Sequence, residues 1–112
     1  MPDGTIICRD NNEHIPVIVI EILSAYTWKN DYSIKMKKYA ELGIKEYWII
    51  SWEFSALNIY FMNDENNKYE LYDSYTLWET DDCGNEIKVD KSFSPVLFPE
   101  LVVDLHKVFD LF

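Results

Sequence analysis

The segment Val17-Ile18-Val19-Ile20-Glu21-Ile22-Leu23 is apolar at odd and even positions alike, broken by one carboxylate. An unalternating β-branched run of this length predicts a strand covered on both faces, placed at the centre of a sheet. Upstream, Thr5 to Cys8 is a shorter β-branched run closed by Arg9-Asp10-Asn11-Asn12, a cluster of turn formers, so a strand and a tight turn are expected there. Downstream, a loop over Ser24 to Asn30 leads into Asp31 to Leu42. The helix-forming composition of that segment, its acidic start and the glycine after it, Gly43, predict a helix of about three turns with a left-handed C-terminal cap. Lys35, Tyr39 and Leu42 share one face of this helix and Ile34, Lys38 and Glu41 another, which sets the lysine beside the buried stripe.

Glu46 to Ser51 (Glu-Tyr-Trp-Ile-Ile-Ser) reads as a second buried strand. With the helix before it, it completes a strand-helix-strand unit whose strands should run parallel. Leu57, Ile59 and Phe61 then alternate with Asn58, Tyr60 and Met62. The turn Asn63-Asp64-Glu65-Asn66-Asn67 joins this strand to Tyr69 to Leu77, a hairpin pattern. Asp81 to Asn85 offers another turn before Glu86 to Val89, and Phe98 to Phe112 fits a short strand and a short closing helix. The expected fold is α/β: a mixed sheet with one main helix packed on it and a C-terminal antiparallel extension.

At 112 residues, nearly half of them apolar, the chain suits one folded domain, residues 1–112. Twenty acidic against ten basic residues give a net charge of -10, a field that repels polyanions as a whole. A local cluster such as Lys35, Lys37 and Lys38 still offers a phosphate somewhere to bind. Cys8 and Cys83 stand far apart without the spacing of a zinc site or disulfide framework, so reduced thiols in a cytoplasmic protein are expected. No apolar stretch approaches the roughly 20 residues of a membrane span, and no leader pattern opens the chain.

Glu21 is the residue on which a functional reading turns. A carboxylate inside a two-sided apolar strand costs several kcal/mol unless a cation, metal or donor compensates it. An ion pair with a helix lysine, or a strand end near solvent, would satisfy that need without any function. The alternative begins from Pro2-Asp3, which opens the first strand, because neighbouring strands about 5 Å apart can bring Asp3 and Glu21 onto one divalent ion. Two carboxylates and a backbone carbonyl suffice for Mg²⁺, which keeps several waters, and a nearby lysine would stabilise negative charge developing on phosphate. His14 and His106 are solitary, and no phosphate-binding glycine loop, nucleophile elbow or paired-cysteine motif occurs.

Taken in order, Pro2-Asp3, Glu21-Ile22-Leu23-Ser24, Asp31, Lys35, Tyr39, Gly43-Ile44-Lys45-Glu46-Tyr47-Trp48-Ile49-Ile50 and Ser94-Pro95-Val96-Leu97-Phe98-Pro99-Glu100-Leu101 span nearly the whole chain. In this order and spacing the sequence resembles the Uma-two (Uma2) family of restriction endonucleases, within the PD-(D/E)XK nuclease superfamily. The resemblance implies a restriction-endonuclease-like fold and Mg²⁺- or Mn²⁺-dependent hydrolysis of DNA. Asp3 matches the first aspartate and Glu21 the acidic residue of the (D/E)XK element, both metal ligands, with the Ile22 carbonyl as a third. Leu23 stands where that element has its lysine, and the basic group is expected from the helix, at Lys35. Relatives carry helices and strands before the first Pro-Asp, so an N-terminally truncated domain is expected, self-associating, most simply as a homodimer. The rival expectation is a catalytically impaired remnant that serves as an oligomeric interaction module.

Overall fold

The structure, a computed structural model, describes residues 4–9, 16–23 and 28–110. Its framework is a five-stranded sheet in sequence order, built from β1 (Gly4–Arg9), β2 (Pro16–Leu23), β3 (Glu46–Ser51), β4 (Ala56–Asn63) and β5 (Lys68–Thr76). Only β2 and β3 pair in parallel, with α1 (Trp28–Glu41) as the crossover between them, and the other neighbours are antiparallel. The mixed α/β architecture is therefore the expected one, with one shift. β3, not β2, lies in the middle of the sheet, because β4 and β5 both add beyond it.

The β2 run is covered on both faces, as its composition requires. Ile18 and Ile22 enter one core with Trp48, Ile50, Leu57 and Ile59, while Val19 and Leu23 enter another with Ile44, Tyr47 and Ile49. Burying each such aliphatic side chain contributes about 1.5–3 kcal/mol, so both layers bind the strand firmly. α1 covers the second layer through Met36 and Tyr39. The first is closed by α2 (Leu105–Asp110), whose Leu105, Val108 and Phe109 are buried, and by Phe93, which sits 5.3 Å from the Trp48 ring.

The end of α1 fixes what its last turns can reach. Gly43 adopts φ 81°, its N–H donates to the Ala40 carbonyl at 3.0 Å, and the Ile44 N–H donates to the Tyr39 carbonyl at 3.2 Å. This is a Schellman cap, with Ile44 folding back into the same core as Tyr39. Leu42 is then the cap residue itself and is 56% exposed, so it lies off the buried stripe on which its spacing would set it. The helix also starts at Trp28, three residues before the expected Asp31.

The remaining strands make small antiparallel pairs. β6 (Trp78–Thr80) meets β7 (Glu86–Lys88), and β8 (Ser92–Phe93) meets β9 (Val103–Asp104). Asp81 organises the β6–β7 turn by accepting from the Cys83 and Asn85 N–H groups at 2.9 and 2.8 Å. Asp104 caps α2 by accepting from the His106 N–H at 3.0 Å. No helix among the described residues is long and apolar enough to cross a membrane.

Candidate active site

Side chains alternate along β2, so Glu21 shares the α1 face with Val19 and Leu23 and is 1% exposed. Register then selects its neighbours. Thr5 on β1 stands opposite Glu21, and Ile49 on β3 flanks the other side. From above, α1 presents Lys35 and Tyr39, one turn apart on one face. Three donors among the described residues converge on the carboxylate. Thr5 Oγ1 and Tyr39 Oη each donate to Oε1 at 2.9 Å, and Lys35 Nζ donates to Oε2 at 3.3 Å.

The energetic problem of a carboxylate in an apolar strand is answered here by one cation and two hydroxyls. The Lys35 side chain is 39% exposed against 1% for Glu21, so the pair joins a buried anion to a cation at the protein surface. Burial, followed by the hydrogen bond to Glu21 and its negative field, pushes the Tyr39 phenol up to about 12. It therefore remains a hydrogen-bond donor throughout the neutral range. Behind it, Tyr47 is completely buried, 5.5 Å from the Tyr39 ring and 5.6 Å from the Tyr69 ring. Burial first and Glu21 second push its phenol up, and its hydroxyl has no hydrogen-bond partner among the described residues.

Of the residues expected to act together, Glu21 and Lys35 are adjacent, and Ile22 follows on the same strand with its side chain in the opposite core. Asp3 lies outside the described residues, as does His14. Among the described residues no three His, Cys, Asp or Glu side chains gather at metal-binding distance. The donor set still suits Mg²⁺, which is ordinarily held by one or two carboxylates together with water and substrate phosphate. Glu21 Oε2, with Lys35 as its one partner among the described residues, supplies such a carboxylate oxygen.

A second buried carboxylate escaped the reading of the sequence. Glu46 is 0% exposed on the opposite face of the sheet and accepts from Trp48 Nε1 at 2.7 Å and from the Val96 and Leu97 N–H groups at 3.0 and 2.9 Å. It fastens the segment before α2 to the sheet. Its period-two relation to Trp48 and Ile50 was the available signal, since residues two apart on a strand share a face. Thr5 gave no such signal, because only the β1–β2 register sets it beside Glu21.

A comparison with curated proteins finds no match. A family model does match, over residues 1–89, and that span contains Glu21, Lys35, Thr5, Tyr39 and all five strands of the main sheet. The family is described as "putative restriction endonuclease", a description that implies DNA as substrate. With most of its length covered and its mixed sheet consistent with a restriction-endonuclease-like fold, the chain belongs to the Uma2 family.

Proposed function

We propose that the protein is a divalent-metal-dependent endonuclease that hydrolyses DNA phosphodiester bonds. The observation that carries this reading is the nearly fully buried Glu21 carboxylate set 3.3 Å from the Lys35 ammonium on a sheet of the matched family. Glu21 and Asp3 would hold Mg²⁺ or Mn²⁺, with the Ile22 carbonyl completing the protein's share. Bound there, the cation would polarise phosphate and lower the pKa of water. Lys35, half-buried at the protein surface, is long enough to exchange Glu21 for a phosphate oxygen and so stabilise charge that builds during attack. The buried wall of Val19, Leu23, Tyr47 and Ile49 keeps bulk water from the back of Glu21 and strengthens these interactions. A free, exposed Cys83 suits the cytoplasm as the place of action.

The test is thermal unfolding with Mn²⁺ or Mg²⁺ and with EDTA, paired with cleavage of plasmid DNA. The cation should raise Tm in the native protein and leave Glu21→Ala unmoved, as ligand linkage requires. Cleavage that persists in EDTA or in Glu21→Ala would remove the site from the mechanism.

The second reading, a self-associating interaction module, is favoured by the face opposite α1. An apolar groove of about 290 Å³ runs there between Ile6, Ile20, Trp48, Phe98 and Leu101, beside β1, the outermost strand of the sheet on that side. A second copy pairing edge to edge along β1 would cover both features, and a two-fold dimer is the simplest such assembly. Light scattering at micromolar concentration decides it, a mass near 13.3 kDa counting against the dimer.

A further inference from the structure

The two oxygens of Glu21 are treated unequally. Oε1 receives two hydroxyls, Thr5 from the neighbouring strand and Tyr39 from the helix above, each at 2.9 Å. Oε2 receives the Lys35 ammonium. A carboxylate oxygen has two in-plane lone pairs, so two short hydrogen bonds use the capacity of Oε1, while Oε2 retains one with respect to the described residues. Both hydroxyls are stationed by the backbone. Register sets Thr5, an exposed residue of β1, opposite Glu21. Tyr39 sits at the Schellman cap, where its carbonyl accepts from the Ile44 N–H, and its ring packs against the fully buried Tyr47.

We infer that Thr5 and Tyr39 are positioning residues that make Glu21 a single-oxygen ligand, open to a divalent cation only through Oε2, and so select among cations. This inference rests on the metal-dependent reading above. Small cations with strict octahedral geometry, Mg²⁺ and Mn²⁺, are served by single carboxylate oxygens. Ca²⁺ takes six to eight oxygens and readily uses both oxygens of one carboxylate, a mode that the two hydroxyls block. Removing them leaves the carboxylate and Lys35 in place but unlocks Oε1. Affinity for Ca²⁺ should then rise relative to Mg²⁺.

The experiment is calorimetric titration of the native protein, Tyr39→Phe, Thr5→Val and the double variant with Mg²⁺, Mn²⁺ and Ca²⁺ in turn, without DNA. The ratio of Ca²⁺ to Mg²⁺ affinity is expected to rise roughly tenfold in the double variant, the scale set by releasing a hydrogen bond to a charged group, and by less in each single one. Unfolding curves in EDTA identify the variants that fold. Should the double variant fail to fold, Tyr39→Phe is read alone, with a rise of a few-fold expected. Native protein that binds the cations, with affinities for Mg²⁺ and Ca²⁺ falling together in the variants at constant ratio, would overturn the positioning role and leave the nuclease reading standing. Native protein that binds none of the three cations would overturn both.

Discussion

Replacing Glu46 with glutamine isolates the carboxylate that ties the segment before α2 to the sheet, because size is kept while the charge and one acceptor are lost. Oε2 takes two donors, Trp48 Nε1 and the Val96 N–H, and Oε1 takes the Leu97 N–H. No ion pair among the described residues reaches this group, so among them it is hydrogen bonds that hold the buried carboxylate. A glutamine oriented to keep its carbonyl oxygen on the two-donor side turns its NH₂ toward the Leu97 N–H, donor against donor. Losing one hydrogen bond to a charged group costs about 1.5–3 kcal/mol, partly offset because no charge remains to be desolvated. Glu46→Gln should therefore destabilise by about 2 kcal/mol. Glu46→Ala strands three donors at once and opens a void, for about 4 kcal/mol or more. At about 4–8 °C per kcal/mol for a domain of this size, both effects are large in a melting curve. Urea unfolding followed by tryptophan fluorescence measures them, with Trp48 inside the perturbed network. A glutamine variant within 0.5 kcal/mol of native, or one equal to the alanine variant, would refute the assignment of three charge-held donors.

Two further outcomes follow from the tyrosines packed on the two faces of the sheet. Tyr47→Phe removes a buried hydroxyl that has no partner among the described residues, so it should be neutral or stabilise by up to about 1 kcal/mol; a loss above 1 kcal/mol in urea unfolding would show that the hydroxyl is bonded. Tyr39 and Tyr75 hold their protons up to about 12, and Tyr47 and Tyr69 are pushed up further still, all from 10.0. Above pH 10 the unfolded chain binds fewer protons than the native one, so stability is full below pH 10 and falls as pH rises through 12. Tyr39 and Tyr75 contribute the smaller share, being partly exposed. The Tm from pH 9 to 12 should drop with a slope that Tyr47→Phe makes shallower, and a flat profile would contradict the burial argument.

The parts of the fold that could be read from the sequence are those in which local chemistry and tertiary structure agree. The Val17 to Leu23 run could only be a two-faced strand, and Gly43 supplied the left-handed residue on which α1 ends. Glu21 stood out because its neighbours made its burial certain, and Lys35 came close to it through helical spacing. What escaped was decided by register or by distant segments. Glu46 was legible only as the first residue of a buried strand, and two of its three partners lie at Val96 and Leu97, beyond any local pattern. The β8–β9 pair is two residues per strand, too short for a periodicity to show. Leu42 carried the right spacing for the buried stripe but fell on the cap, where the chain has already turned away.

The two buried carboxylates also differ in how much chain must close before each is satisfied. Glu21 gathers its donors across 14 to 18 residues, whereas Glu46 waits for donors 50 and 51 residues on. Loop-closure entropy grows with the logarithm of length, so the longer closure costs about 1 kcal/mol more. During synthesis, β1, β2 and α1 emerge together and can assemble the Glu21 cluster tens of residues before Val96 leaves the ribosome. Folding is thus staged by the sheet itself: the catalytic candidate face forms from local pieces, and the opposite face is sealed last. Amide exchange should follow the same order, with the segment from Val96 to α2 opening at lower free energy than β2 and β3.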